Sequence, residues 1–231
     1  MNDANPQLSK LALAYAALGT VLNLISSIRH GGTGRALVLL GLGIGLPAAG
    51  ELLATGPLKL LRHRTRPRLL GIPIAILLGW YCAVAGSLAV AERVLGRVPL
   101  GRDGRRKALP AAAALVGTSL DLVLDPAGLD AGLWEWNLDG FYAPEIEGPN
   151  GRRGVPLVNY LGWLGLIWAV AHLCGRDASK RSGRTPILVL LPYYLAAAAW
   201  AVRARKVRYV IYSLPFPVAL ILAAGEGGEN P

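Results

Sequence analysis

The chain has 231 residues, of which 53% are hydrophobic and 16% charged. A water-soluble domain of this size carries about 25% charged residues, so the composition excludes an ordinary soluble enzyme and points to one all-α integral membrane domain over 1–231. The net charge is +10, but lysine and arginine collect in short segments between apolar runs, as at the boundaries of a polytopic membrane protein. No nucleic-acid-binding motif accompanies them; the expected partner is the lipid bilayer.

Runs of about 20 apolar residues cross a bilayer as helices. About seven such spans are predicted, at 8–28, 35–55, 69–92, 108–127, 154–174, 186–202 and 207–224, which predicts a multi-pass protein of the cell membrane. The first span is expected to be retained, because Met1 to Gln7 has no basic region and no small-residue cleavage site is obvious. The second span holds Gly41-Leu42-Gly43-Ile44-Gly45, a run without the strand or lysine of a phosphate cradle, and ends near Glu51. Cys82 and Cys174 lie in apolar runs and read as packing residues. Segment 128–153 is the long connection; it is acidic and aromatic and shows no clear helical or strand pattern. A loop this long is functional or disordered, and its aromatics argue against disorder. The last two runs are the weakest: Arg203 to Arg208 reads either as a loop or as a kinked break, and Pro215 and Pro217 interrupt the final run. Lysine and arginine divide evenly between the two sides, so the positive-inside rule assigns no orientation.

Two stretches echo one another. Gly71-Ile72-Pro73 through Gly79-Trp80 matches Gly154-Val155-Pro156 through Gly162-Trp163 in register, and upstream Glu51 and Gly56 parallel Glu135 and Gly140. The echo predicts a unit at 35–92 duplicated at 108–174, a parallel repeat with a site at the interface.

Ionisable groups at membrane depth are functional candidates. Asp121 and Asp125 are four residues apart and share a helix face with Thr118. Two buried carboxyls can divide into one neutral acid and one carboxylate, which is what acid–base chemistry requires. The alternative is structural, with Asp125 capping the helix before Pro126 and Asp121 bonded to a neighbour. Glu51 reads either as a further acid or as an interfacial partner of Lys59 or Arg62. Glu135 sits between Trp134 and Trp136, whose rings can face a cation or mark the membrane interface. Asn159, Gly162 and Trp163 share a face that suits either a site or close helix packing. His30 and His63 fall in basic segments and His172 lies opposite Asn159, so no metal-ligand spacing exists and no metal is expected.

Leu120-Asp121-Leu122-Val123-Leu124-Asp125-Pro126, Trp134-Glu135-Trp136 and Gly154-Val155-Pro156-Leu157 with Asn159 and Gly162-Trp163 together resemble the membrane carotenoid hydratases. These comprise the CruF-like carotenoid 1,2-hydratases and the bisanhydrobacterioruberin hydratases of C50 pathways. The resemblance covers roughly 50–165 and includes the Glu51 segment and Trp80. It departs where Ala143 to Arg153 separates Phe141-Tyr142 from Gly154. The resemblance implies a cofactor-independent hydro-lyase that protonates the terminal double bond of an acyclic carotenoid end group and captures the tertiary cation with water. Asp121 or Asp125 would donate the proton, with Glu51 or Glu135 in reserve. The other carboxylate and Asn159 would handle water. Thr118, Trp80, Trp134, Trp136, Tyr142 and Trp163 would line the substrate. A cyclase of the same end group and a non-catalytic carotenoid-binding partner remain open, as does association with other carotenoid biosynthesis enzymes.

Overall fold

The computed structural model describes residues 3–174 and 182–224. Eight helices run through the described residues: α1 (Pro6–Gly31), α2 (Thr33–Thr55), α3 (Ile74–Leu95), α4 (Arg102–Asp130), α5 (Leu157–Cys174), α6 (Thr185–Arg203), α7 (Arg208–Tyr212) and α8 (Pro215–Ala224). The first six are long and apolar enough to cross a membrane, and the protein is a polytopic helical membrane protein. The run expected at 207–224 differs: it breaks at Ser213-Leu214 into α7 and α8, and α8 has only 10 residues. Pro215 explains the break, because proline has no N–H and starts a helix rather than continuing one.

α3 is buried on nearly every face from Trp80 to Ala91, as expected of a helix apolar all round. Small residues let its neighbours approach. A Cβ at Gly86 would lie 2.3 Å from Leu190 of α6, and one at Gly117 of α4 would lie 2.2 Å from Ile167 of α5 and 2.9 Å from Ser87 of α3.

Three short antiparallel strand pairs sit at one end of the bundle. β1 (Leu61–His63) pairs with β4 (Trp134–Trp136), β2 (Arg68–Leu69) with β3 (Ile72–Pro73), and β5 (Tyr142–Glu147) with β6 (Arg153–Val155). The predicted loop 128–153 is therefore the end of α4, one strand and one hairpin. Residues 69–73, expected inside the third span, instead turn through Leu70 and Gly71 at positive φ and lead into α3.

The repeat is visible in three dimensions. Each half runs helix, strand, hairpin, helix: α2, β1, β2–β3, α3 and then α4, β4, β5–β6, α5. In the β1–β4 ladder Arg62 faces Glu135, Leu61 faces Trp136 and His63 faces Trp134. A two-fold axis through its centre relates Leu61 to Trp134 and His63 to Trp136. Gly71 and Gly154, at φ 86 and 72, each precede the second helix of their half. Trp80 and Trp163, equivalent in both, lie with ring centroids 4.3 Å apart. The expected equivalence of Glu51 with Glu135 changes: Glu51 is on helix α2 and Glu135 on strand β4. Counting back from the paired strands, Glu51 corresponds to the Leu124-Asp125 turn of α4.

Candidate active site

α4 carries Pro126 inside the helix. Proline cannot donate to the carbonyl four residues earlier, and a free carbonyl at membrane depth must find a partner. Here Tyr142 supplies it, its hydroxyl donating to the Leu122 carbonyl oxygen at 2.7 Å. The helix thus continues through the proline to Asp130, with Asp121 and Asp125 one turn apart on its inner face, 2% and 3% exposed.

Asn159, in the first turn of α5, binds both carboxyls. Its Nδ2 donates to Asp121 Oδ2 at 2.6 Å and to Asp125 Oδ2 at 3.0 Å. Both amide hydrogens are engaged, leaving Oδ1 to accept from a third group. Trp136 Nε1 donates to Asp125 Oδ2 at 3.3 Å. The Trp134 indole N–H also lies beside Asp125, outside hydrogen-bond geometry.

A second carboxylate centre belongs to the other half. Glu51 Oε1 accepts from Trp80 Nε1 at 2.9 Å, and Glu51 Oε2 pairs with His63 Nε2 at 2.8 Å. The two centres are built alike, since His63 and Trp136 occupy equivalent strand positions and each reaches a carboxylate of its own half.

Both centres open into one cavity of about 560 Å³. Its walls include Glu51, Trp80, Asp121, Asp125, Asn159 and Trp163, and the strand pair contributes Trp134, Trp136 and His63. The rest of the lining is almost wholly apolar, from α1, α3, α4 and α6. Of the residues singled out in the sequence, Thr118, Glu135 and Tyr142 are not on the cavity wall. Thr118 lies about a turn beyond Asp121. Tyr142 packs under α4, its ring edge-on to Tyr160 at 5.2 Å and Tyr209 at 5.4 Å. Glu135 points to the face of β4 opposite Trp134 and Trp136, as strand alternation dictates, where Arg62 at 3.3 Å and Arg64 at 3.9 Å neutralise it.

The segment separating Tyr142 from Gly154 forms the β5–β6 hairpin and stays clear of the cavity. Glu145 anchors it to Arg208 and Tyr209. At its base the backbone N–H of Arg153 and the Arg152 guanidinium hold the Asp139 carboxyl below the usual aspartate range.

Sequence reasoning missed His63, assigned to a basic loop, and Gly128. A Cβ at Gly128 would lie 2.1 Å from the Trp134 ring, so this glycine lets the indole lie against α4. Neither residue has a local signal, because His63 reaches Glu51 only through the strand that places it.

The site is thus that of a polytopic helical membrane protein whose apolar cavity ends on buried carboxyls and tryptophans. The sequence matches the carotenoid biosynthesis protein family over residues 11–225, and the chain belongs to that family. No curated protein and no solved structure matches it.

Proposed function

We propose that the protein is a carotenoid hydratase, adding water to the terminal double bond of an acyclic carotenoid end group. The observation that carries this reading is the Asn159 amide bridging two buried carboxyls at the wall of a tryptophan-lined apolar cavity, in a chain of the carotenoid biosynthesis family.

Two adjacent negative charges in an apolar wall cost far more than one, so Asp121 and Asp125 together hold a proton. That proton passes to the inner, chain-side CH carbon of the alkene. The π electrons form the new C–H bond, and the tertiary carbon is left cationic. A water oriented by Asn159 Oδ1 and the carboxylate attacks this carbon through oxygen. Its released proton returns to the carboxylate pair, so the balance is alkene plus water to tertiary alcohol. The rings of Trp134, Trp136 and Trp163 face the cation, an attraction of about 0.5–2 kcal/mol per ring. Glu51, held by His63 and Trp80, is a second acid within the same cavity.

The test is expression in a host that accumulates acyclic carotenoid, followed by pigment analysis. A tertiary alcohol is expected; a cyclised end group or unchanged polyene overturns the reading. Asp121→Asn and Asp125→Asn should each lower conversion by about 10²- to 10⁴-fold, the contribution of a positioned acid or base. Full activity in both variants, at normal protein level, would remove these carboxyls from the chemistry.

A further inference from the structure

The cavity has a polar end and an apolar end. Its carboxyls, His63 and Asn159 belong to α2, α4, α5 and the strand pair, whereas α1 contributes Leu8, Ala12 and Tyr15 and α6 contributes Pro192, Tyr193 and Ala196. Pro192 and Ala196 line the cavity and are also exposed on the outside of the bundle. The wall between α1 and α6 is therefore open at this level.

Both margins of the opening are fixed. At the strand end, the Ala4 N–H donates to the Arg64 carbonyl at 3.0 Å and Asp3 pairs with Arg66 at 2.7 Å. On the other side, Tyr15 Oη donates to the Val189 carbonyl at 2.7 Å, and the Tyr15 and Tyr193 rings meet edge-on at 4.9 Å. Between them α1 and α6 present Leu8, Ala12, Pro192 and Ala196 to the cavity. Leu11 and Leu18 on α1, and Leu188 and Leu195 on α6, are exposed around it. Such a rim borders lipid rather than water.

We propose that the gap between α1 and α6 is a lateral portal through which a long linear isoprenoid chain lies, its end group at the carboxyls and its remainder in the bilayer. The proposal rests on the hydratase reading for the identity of the end group. It adds that the protein takes substrate sideways from lipid, one end at a time. A cavity of about 560 Å³ has the size of sites for drug-sized ligands, so a much longer chain must protrude. The strand pair lines the opposite, carboxyl end of the cavity, so the gap between α1 and α6 offers an apolar way out.

Two experiments in lipid nanodiscs test this. The first uses the double variant Ala12→Phe/Ala196→Phe, with Ala14→Phe and Ala199→Phe as exposed controls off the cavity. Conversion of a full-length acyclic carotenoid should fall at least about 10-fold in the double variant, an access defect. Conversion of a monoterpene-length analogue with the same end group should fall at least about 5-fold less than that of the long substrate, because it does not need to pass out between the two helices. Equal conversion of the long substrate by native and double-variant protein of equal melting temperature overturns the portal.

The second needs no turnover. Ala196→Cys is introduced into a Cys82→Ala/Cys174→Ala chain and labelled with a membrane-permeant maleimide. The long carotenoid should slow labelling at least about 5-fold by covering the portal, and the short analogue should not. Unchanged labelling with the long carotenoid overturns the portal, even if the double variant fails to fold. Protection without any alcohol product retains the portal and sinks the hydratase reading instead.

Discussion

Asn159 and Trp163 stand four residues apart in the same helix and do different work. Asn159 touches both carboxyls, whereas Trp163 offers its ring, tilted by 34° against that of Trp80. Trp163→Leu should therefore slow the reaction by about 2- to 30-fold, the rate equivalent of one lost cation–π face, with KM little changed. Trp80→Phe keeps an aromatic partner for Trp163 but deletes the N–H that Glu51 accepts. Initial rates of both variants at saturating substrate separate ring-face stabilisation from the Glu51 contact. An unchanged rate in Trp163→Leu would take that ring out of the transition state. At this scale the site was largely legible. Asp121, Asp125 and Asn159 stand out because an ionisable or amide side chain in an apolar helix needs a reason. His63 did not, because a histidine among arginines looks solvated until a strand turns it inward.

Helices and strands differ in how much they announce themselves. The long spans are read directly from runs of apolar residues, since hydrocarbon thickness sets their length. The three-residue strands β1, β4 and β6 are too short for any period, and β1 and β4 pair with residues some seventy positions apart. The continuation of α4 past Pro126 was hidden for the same reason, since Tyr142 supplies the missing partner from β5. The contact of α4 with β4 at Gly128 gives the test at this scale. A Cβ there would meet the Trp134 ring at 2.1 Å, so Gly128→Ala must displace the indole that faces Asp125. Ordinarily alanine for glycine inside a helix stabilises by about 0.5–1 kcal/mol. That sign should hold for Gly45→Ala, where nothing lies within 4 Å. It should reverse at Gly128, with lower melting temperature and lower rate. Adding Trp134→Leu should restore the melting temperature but not the rate. A fully active Gly128→Ala chain would mean that the floor of the cavity is not held by this contact.

Across the whole molecule the two halves meet in a helical interface and one backbone ladder. At its centre Arg62 and Arg64 neutralise a Glu135 that is almost fully buried, while Arg62 itself reaches solvent. Glu135→Ala frees arginines that can still hydrate, so the loss should be modest, about 1–3 kcal/mol. Thermal unfolding in detergent should show a lower melting temperature with activity per folded molecule retained. A fall in activity at unchanged melting temperature would instead put Glu135 in the chemistry. The duplication itself was legible through Gly71-Ile72-Pro73 and Gly154-Val155-Pro156, because a positive-φ glycine before a helix leaves few substitutes. The match of Glu51 with Glu135 was misleading, since the strands rather than the spacing set the equivalence.

The exposed link between α3 and α4, residues 96–101, is the only covalent join between the halves at that end of the bundle among the described residues. The halves otherwise recognise each other through the β1–β4 register and the Trp80–Trp163 contact. A chain cut in this link should reassemble from two co-expressed fragments, as a pair of unlike subunits. Fragment one alone would hold Glu51 and His63, and fragment two alone Asp121, Asp125 and Asn159. Two copies of either fragment would close a symmetric chamber with one kind of acid repeated, whereas the mixed pair restores two different ones. Seen this way, the covalent tether guarantees heterogeneity: it keeps like from pairing with like.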